Sequence, residues 1–337
     1  MSTETMQIDL ALQGGGAHGA FTWGVLDRLL EEENLCIEGV SGTSAGAMNA
    51  ALMACGLARG CRTEARKLLH EFWRRTADAA RFSPLQRTPI DRLLGDWTLE
   101  YSPAFLWLDM TSRLISPYTF GGLAQNPLRK ILSDLIDFDC LADAPLKLFV
   151  TATNVESGQA RVFRSHEISV EVLLASACLP TLYQAIEIDG VPYWDGGYSG
   201  NPTLTPLVCE CASNDTILVQ INPVMRQGTP RSAGDIANRV NEIAFNAPLL
   251  KELKMMALLH QVIDPGNTEA RAWKAMRLHR ISTEKMIELG HASKLVAEWD
   301  FLKMLFETGR ESANAFLAKD GPNLGVRSSL DLNALLH

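Results

Sequence analysis

An α/β fold with a mainly parallel central sheet is what this sequence predicts. Two strand-then-helix steps fill the first sixty residues, and each turns on a glycine-rich segment. A third strand-rich region begins at residue 146, beyond a long stretch of different character. Strands that alternate with helices are joined by crossovers, and crossovers make neighbouring strands parallel.

The first step opens with Met6–Leu12, where apolar and polar residues alternate as in a strand. It runs into Gln13-Gly14-Gly15-Gly16-Ala17-His18-Gly19, after which Phe21, Val25, Leu26, Leu29 and Leu30 recur at helical spacing. The second step is a strand over Leu35–Val40, a turn at Gly42-Thr43-Ser44-Ala45-Gly46, and a buried small-residue helix over Ala45–Ala58. Residues 62–140 are expected to form a helical insertion, broken by Pro84, Pro89, Pro103, Pro117 and Pro127. Its aromatic residues are Phe72, Trp73, Phe82, Trp97, Tyr101, Phe105, Trp107, Tyr118 and Phe120. From Arg59 to Arg92, nine Arg or Lys outnumber four Asp or Glu. That composition suits a cap over an active site that touches anionic lipid headgroups. The alternative is a plain helical insertion with solvated arginines.

The sheet pattern resumes with a strand over Leu146–Thr153 and a helix over Ile168–Ser176 that ends before Pro180. Ile186–Tyr193 reads as a hairpin turning at Asp189-Gly190, and it delivers Asp195-Gly196-Gly197. Thr216–Ile221 is another strand. Residues 232–337 are mainly helical, with one further strand at Met276–Ile281. No repeat or low-complexity linker divides the chain, so residues 1–337 read as one domain.

Composition removes several function classes. A net charge of −8 argues against a nucleic-acid binder. Met1–Gln7 lacks the basic flank and apolar run of a signal peptide, and Ala45–Ala58 is too short to span a bilayer. A cytoplasmic protein is expected, at most peripherally associated with a membrane. Seven cysteines, at 36, 55, 61, 140, 178, 209 and 211, include no C-x-x-C pair, and Cys209-x-Cys211 has no nearby histidine. Reduced, mostly buried thiols are expected rather than a metal site or a disulfide framework.

The chemistry gathers at Ser44. A serine between Gly42 and Gly46, at a strand-to-helix turn, is how a nucleophile elbow is built. The helix that follows points backbone N–H groups, that of Ala45 first, at the space over the serine oxygen. Serine is a weak nucleophile and needs an adjacent base. Asp195 is one acid that could serve, although an Asp-Gly pair is also an ordinary turn.

Four motifs then stand in order: Gly14-Gly15-Gly16-Ala17-His18-Gly19, Gly42-Thr43-Ser44-Ala45-Gly46, Ala175-Ser176-Ala177-Cys178-Leu179-Pro180 and Asp195-Gly196-Gly197. Together they resemble the patatin-like phospholipase family, over roughly residues 8 to 200. The resemblance implies a three-layer α/β/α hydrolase that cleaves a lipid ester through a Ser44–Asp195 dyad. It implies an oxyanion hole of Gly14, Gly15 and Gly16 amides, with Ala45 able to add one, and neither metal nor cofactor. His18 departs from the Arg or Lys that many members carry there, which puts a fixed positive charge beside the hole in doubt. Acyl chain, headgroup and oligomeric state are not legible.

Three other readings stay open at this level. A Ser–His–Asp triad could draw on His260, His279 or His291, all of which follow Asp195. Gly14-x-Gly16-x-x-Gly19, with Glu38 about twenty residues on, also fits a dinucleotide-binding turn. A non-catalytic lipid-binding module would share the fold but would not need Ser44 and Asp195.

Overall fold

The structure is a computed structural model of the chain. It describes residues 5–81, 83, 85–88, 91, 93, 96–99, 102–119, 126–262, 264, 266–332 and 334, without the side chains of 108–109, 112–114, 233 and 291. Phe82, Pro84, Pro89, Arg92, Tyr101 and Phe120 therefore lie outside the described residues.

The first step is β1 (Met6–Leu12), a 3₁₀ turn at Gly16–His18 and α1 (Gly19–Leu29). The second is β2 (Leu35–Thr43) and α2 (Ala45–Ala58), so this strand runs three residues beyond Val40. Then come α3 (Arg62–Ala80), α4 (Pro103–Leu114), α5 (Pro127–Leu135) and α6 (Phe138–Ala142). The sheet resumes with β3 (Lys147–Asn154) and an unanticipated β4 (Ala160–Arg164), followed by α7 (Val170–Ser176). The expected hairpin is β5 (Ile186–Ile188) and β6 (Val191–Asp195), with positive φ at both Asp189 and Gly190. This is the conformation a tight two-residue turn requires. After α8 (Thr205–Glu210) and β7 (Asp215–Val219) come α9 (Ala233–Gln261), α10 (Thr268–Ala275), β8 (Arg277–Ile281), α11 (Lys285–Glu288) and α12 (Trp299–Lys319).

The strands form one sheet in the order β5-β6-β3-β2-β1-β7-β8, with β4 also on β3. The β3-β2-β1-β7-β8 portion is parallel; β4, β5 and β6 run antiparallel. One detail of register places the site. Thr151 of β3 pairs with Thr43 of β2 on one edge and with Val162 of β4 on the other. The next residue, Ala152, pairs with Asp195 of β6 and Arg161 of β4. Since β4 occupies one edge throughout, β2 and β6 share the opposite edge and meet tip to tip. Residues 43 and 195 are neighbours for that reason.

Helices cover both faces, giving three layers. Leu10, Leu12, Val40, Val150 and Ile217 face α1, α2, α3 and α12 in one core, whereas Ala11, Phe149, Leu218 and Leu278 face α9 and α10 in the other. The closest helix pair is α1 on α12. A Cβ at Gly24 would lie 1.9 Å from the Phe306 carbonyl oxygen, and one at Gly309 would lie 2.1 Å from that of Phe21. Buried Asn49 ties three helices: it donates to the Gly19 and Ala45 carbonyls and accepts from Trp73 Nε1 at 3.0 Å.

Within residues 62–140 the parts differ. α3 belongs to the core layer, with Phe72 and Trp73 buried on it. Its arginines are spent inside the molecule. Arg66 pairs with Asp27 at 2.7 Å, Arg62 donates to the carbonyls of Glu32 and Leu35, and Arg75 holds Glu71. Farther on, Arg87 pairs with Glu298 and stacks over Trp97 at 3.8 Å. The expected basic face is thus largely neutralised. Large apolar side chains also stand exposed: Leu106, Trp107 and Met110 on α4, with Tyr118 just beyond. The thiols are unpaired among the described residues, and only Cys55 and Cys178 are buried, fewer than expected.

Candidate active site

Ser44 stands between β2 and α2 with φ 54° and ψ −124°. A non-glycine residue in that region costs roughly 1–3 kcal/mol, so the surroundings must hold it. They do so through α7, which starts at Ser169, whose hydroxyl accepts from the Val172 N–H, and ends at Ser176. The Ser44 N–H donates to Ser176 Oγ at 2.8 Å, and Ser176 Oγ donates to the Thr151 carbonyl at 2.7 Å. The flanking glycines are required by proximity. A Cβ at Gly46 would sit 2.3 Å from the Leu12 carbonyl oxygen, and one at Gly42 would be 2.8 Å from that of Gly46.

Asp195 ends β6 and is buried. Its N–H donates to the Cys178 carbonyl at 2.8 Å and its own carbonyl accepts from Thr153 Oγ1, so the backbone is fixed on both sides. Its Oδ1 accepts from the Gly197 N–H at 2.7 Å, and the Ser44 hydroxyl is among the groups that favour its charged form. Burial pushes its carboxyl up from 3.8 to about 7; the Gly197 N–H, the Ser44 hydroxyl and the charge of Lys294 pull the other way. A carboxyl that titrates near 7 is a base poised for neutral pH.

The glycine loop lies directly over Ser44. A Cβ at Gly14 would be 2.7 Å from Ser44 Cβ, which leaves room for glycine alone. The expectation that Gly14, Gly15 and Gly16 all offer amides is corrected at Gly14. Its N–H already donates to Asn201 Oδ1 at 2.7 Å. Among the described residues, no protein acceptor takes the N–H groups of Gly15, Gly16 or Ala45. Gly15 adopts φ 170° and ψ 34° and Gly16 adopts φ +59°, a left-handed conformation that suits glycine. Behind the loop, Gln13 Oε1 accepts from the Ile221 and Asn222 amides, Gln13 Nε2 donates to Asn246, and Asn222 Nδ2 donates to the Gly14 carbonyl at 2.7 Å. Sequence reasoning missed Asn201, Asn222, Asn246 and Lys294, because isolated polar residues in long-range contact leave no local pattern. Ser176 lay inside a quoted motif without a role.

His279 spends its ring nitrogens on Asp215 Oδ1 and Ser329 Oγ, at 3.0 and 3.1 Å. His260 lies near the end of the long helix α9, and the His291 side chain is outside the description. His18 is buried with Nε2 on Ser293 Oγ at 2.7 Å. Glu38 lies inside β2 rather than at its end; its carboxylate accepts from the Ala212 and Ser213 amides and from Lys147. It is therefore not placed to meet a ribose beside the glycine loop. A surface cleft lined by Met6, Arg28, Leu35 and Leu317 lies at the opposite ends of β1 and β2 from Ser44. Among the described residues, no group of three or more His, Cys, Asp or Glu is placed to hold a metal ion, and no helix is long and apolar enough to cross a membrane.

Comparison with known proteins identifies the family. The family model described as patatin-like phospholipase matches residues 10–208, more than half of the chain. No curated protein matches. Among solved structures, VipD from Legionella pneumophila is similar at 17% identity and TM-score 0.35, covering 91% of this chain and 67% of its own. The type III effector protein ExoU is similar at 16% identity and TM-score 0.34, covering 92% of this chain and 53% of its own, so the chain spans about half that protein's length. With its loop, elbow and Asp-Gly-Gly turn all inside the matched region, the chain belongs to the patatin-like phospholipase family, whose members are lipid carboxylic-ester hydrolases.

Proposed function

We propose that the chain is a serine acyl hydrolase of phospholipase A or lysophospholipase type, working through a Ser44–Asp195 dyad. The observation that carries this reading is the meeting of the β2 and β6 tips, which sets Ser44 beside a buried carboxyl raised to about 7. Ser44 Oγ attacks the ester carbonyl as Asp195 takes its proton. The oxyanion forms against the Gly15, Gly16 and Ala45 amides, each worth roughly 3 kcal/mol of barrier. Collapse breaks the bond to the alcohol oxygen, and Asp195 returns the proton to that leaving group. Water, deprotonated in turn by Asp195, then releases the fatty acid and restores Ser44.

A fluorophosphonate probe tests this without a guess at substrate. The label is expected on Ser44, located by peptide mass spectrometry, and is expected to disappear in Asp195→Asn. A chain left unlabelled at Ser44, while a control serine hydrolase reacts, would sink the dyad.

The lipid surface is met, on this reading, by α4 rather than by the paired arginines of α3. Tyr118 Oη accepts from the Ala185 N–H, Gln184 offers its carbonyl to Cys178 Sγ, and Cys178 accepts from the Asp195 amide. The exposed apolar face thus connects to the base. Vesicle binding is expected to change little as ionic strength rises, and to weaken about tenfold or more in Trp107→Glu, since burying such a ring is worth a few kcal/mol. Binding that collapses with salt and ignores Trp107 would move the contact to a basic face.

A further inference from the structure

We propose that Lys294 is the electrostatic positioning residue of this site: its ammonium, tethered behind the glycine loop, favours the charged form of Asp195 against burial and adds positive potential to the Gly15–Gly16 amides. The inference rests on the Ser44–Asp195 reading above.

Lys294 lies beyond the residues matched by the family model, in the 3₁₀ turn His291–Leu295. That turn is clamped to the loop twice. A Cβ at Gly16 would lie 2.5 Å from the Lys294 carbonyl oxygen, and the preceding Ser293 hydroxyl bonds His18 Nε2. The side chain then reaches back to the loop. Its Nζ donates to Asn222 Oδ1 at 2.7 Å, Asn222 Nδ2 donates to the Gly14 carbonyl at 2.7 Å, and Gly14 rests on Ser44. One amide side chain therefore separates the ammonium from the loop that covers the serine.

The charges around this pair are few. Lys294 is faced by Glu242, Arg226 and Asp195. Glu242 is already compensated, by Arg226 at 2.8 Å and Arg239 at 3.2 Å. Asp195 is faced by Ser44, Lys294, Cys178 and Tyr198. Cys178 and Tyr198 are each pushed up to about 12 by burial and by Asp195, so both stay neutral at working pH. Among the described residues, Lys294 is then the cation that acts on Asp195. Burial pulls the lysine down to about 8, which leaves it mostly protonated at neutral pH. An ammonium held by an amide oxygen is costly to bury, and here the site gains a charge by it.

The test uses the full chain and two readouts, the rate of Ser44 labelling and kcat/KM for a soluble acyl ester, each followed against pH. Lys294→Met is expected to move the acidic limb of both profiles up by on the order of one pH unit, the scale of one charge across a polar interior. It is expected to lower kcat roughly ten- to a hundredfold with KM little changed. Lys294→Arg, which keeps the charge, is expected to restore the limb. If Lys294→Met does not fold, Lys294→Gln carries the test, since it can still donate to Asn222. An acidic limb and kcat unmoved in a folded neutral variant would overturn the proposal, as would Lys294→Arg behaving no better than Lys294→Met. A wild-type chain that takes no label at Ser44 overturns the dyad first, and this proposal with it; labelling with an unmoved limb overturns this proposal alone.

Discussion

Ser44→Ala is expected to lower ester turnover by about four orders of magnitude or more while leaving the fold intact. The chemical half of that result is simple: without Oγ no acyl-enzyme can form. The structural half follows from how the residue is held. Its N–H bond to Ser176 is a backbone contact and survives the change. Asp195 keeps the Gly197 N–H. Ser44→Gly is expected to be as inactive but more stable than the parent, by roughly 1 kcal/mol or more, because glycine adopts φ 54° without the cost a side chain incurs. Thermal unfolding beside steady-state kinetics measures both. Appreciable turnover in Ser44→Ala, or a glycine variant that unfolds below the parent, would contradict the account of a strained nucleophile.

Asp195→Asn is expected to cost about three to four orders of magnitude in kcat/KM and to remove the acidic limb of the pH profile. In the parent, activity should rise with pH through about 7 as the carboxyl loses its proton. The same shift has a stability consequence of opposite sense. The folded state keeps a proton up to about 7, whereas the unfolded chain releases it near 3.8. Stability contributed by this group is therefore present below about 3.8 and is lost as pH rises to about 7, by a few kcal/mol in all. Asparagine has no such titration. Its amide oxygen can still accept from Gly197, so the variant should be more stable than the parent at pH 8 and closer to it at pH 5. Denaturant unfolding at the two pH values decides this; a parent more stable than the variant at pH 8 would mean that the carboxylate is stabilised where it lies.

Much of this site was legible because its signals are short and local. The Gly14–Gly19 loop, the Ser44 elbow and the Asp195 turn are each only a few residues long. What escaped depends on distance along the chain. β4 was missed because Ala-Arg-Val-Phe-Arg is five residues with two arginines, and only its place on β3 makes it a strand. Glu38 had the right spacing for a ribose, yet β2 continues past it to Thr43. Arg66 of α3 belongs to a basic run in sequence, and its partners Asp27 and Glu31 lie far from it in the chain. Gly14 carried the right residue for an oxyanion donor, and only Asn201, 187 residues along the chain, shows that its amide is spent.

The crossing of α1 and α12 bears on what counts as the catalytic domain. Gly24 and Gly309 let two backbones touch, and α1 is the helix that leads out of the glycine loop. The segment that defines the family stops at residue 208. Beyond that boundary lie two strands of the sheet, the Asn222 support of the loop, and the helix that covers Phe21 and Leu26. The family match therefore ends inside a continuously packed structure. A gene fragment cut at the family limit would carry the nucleophile and its base without the core residues of β7, β8, α9, α10 and α12.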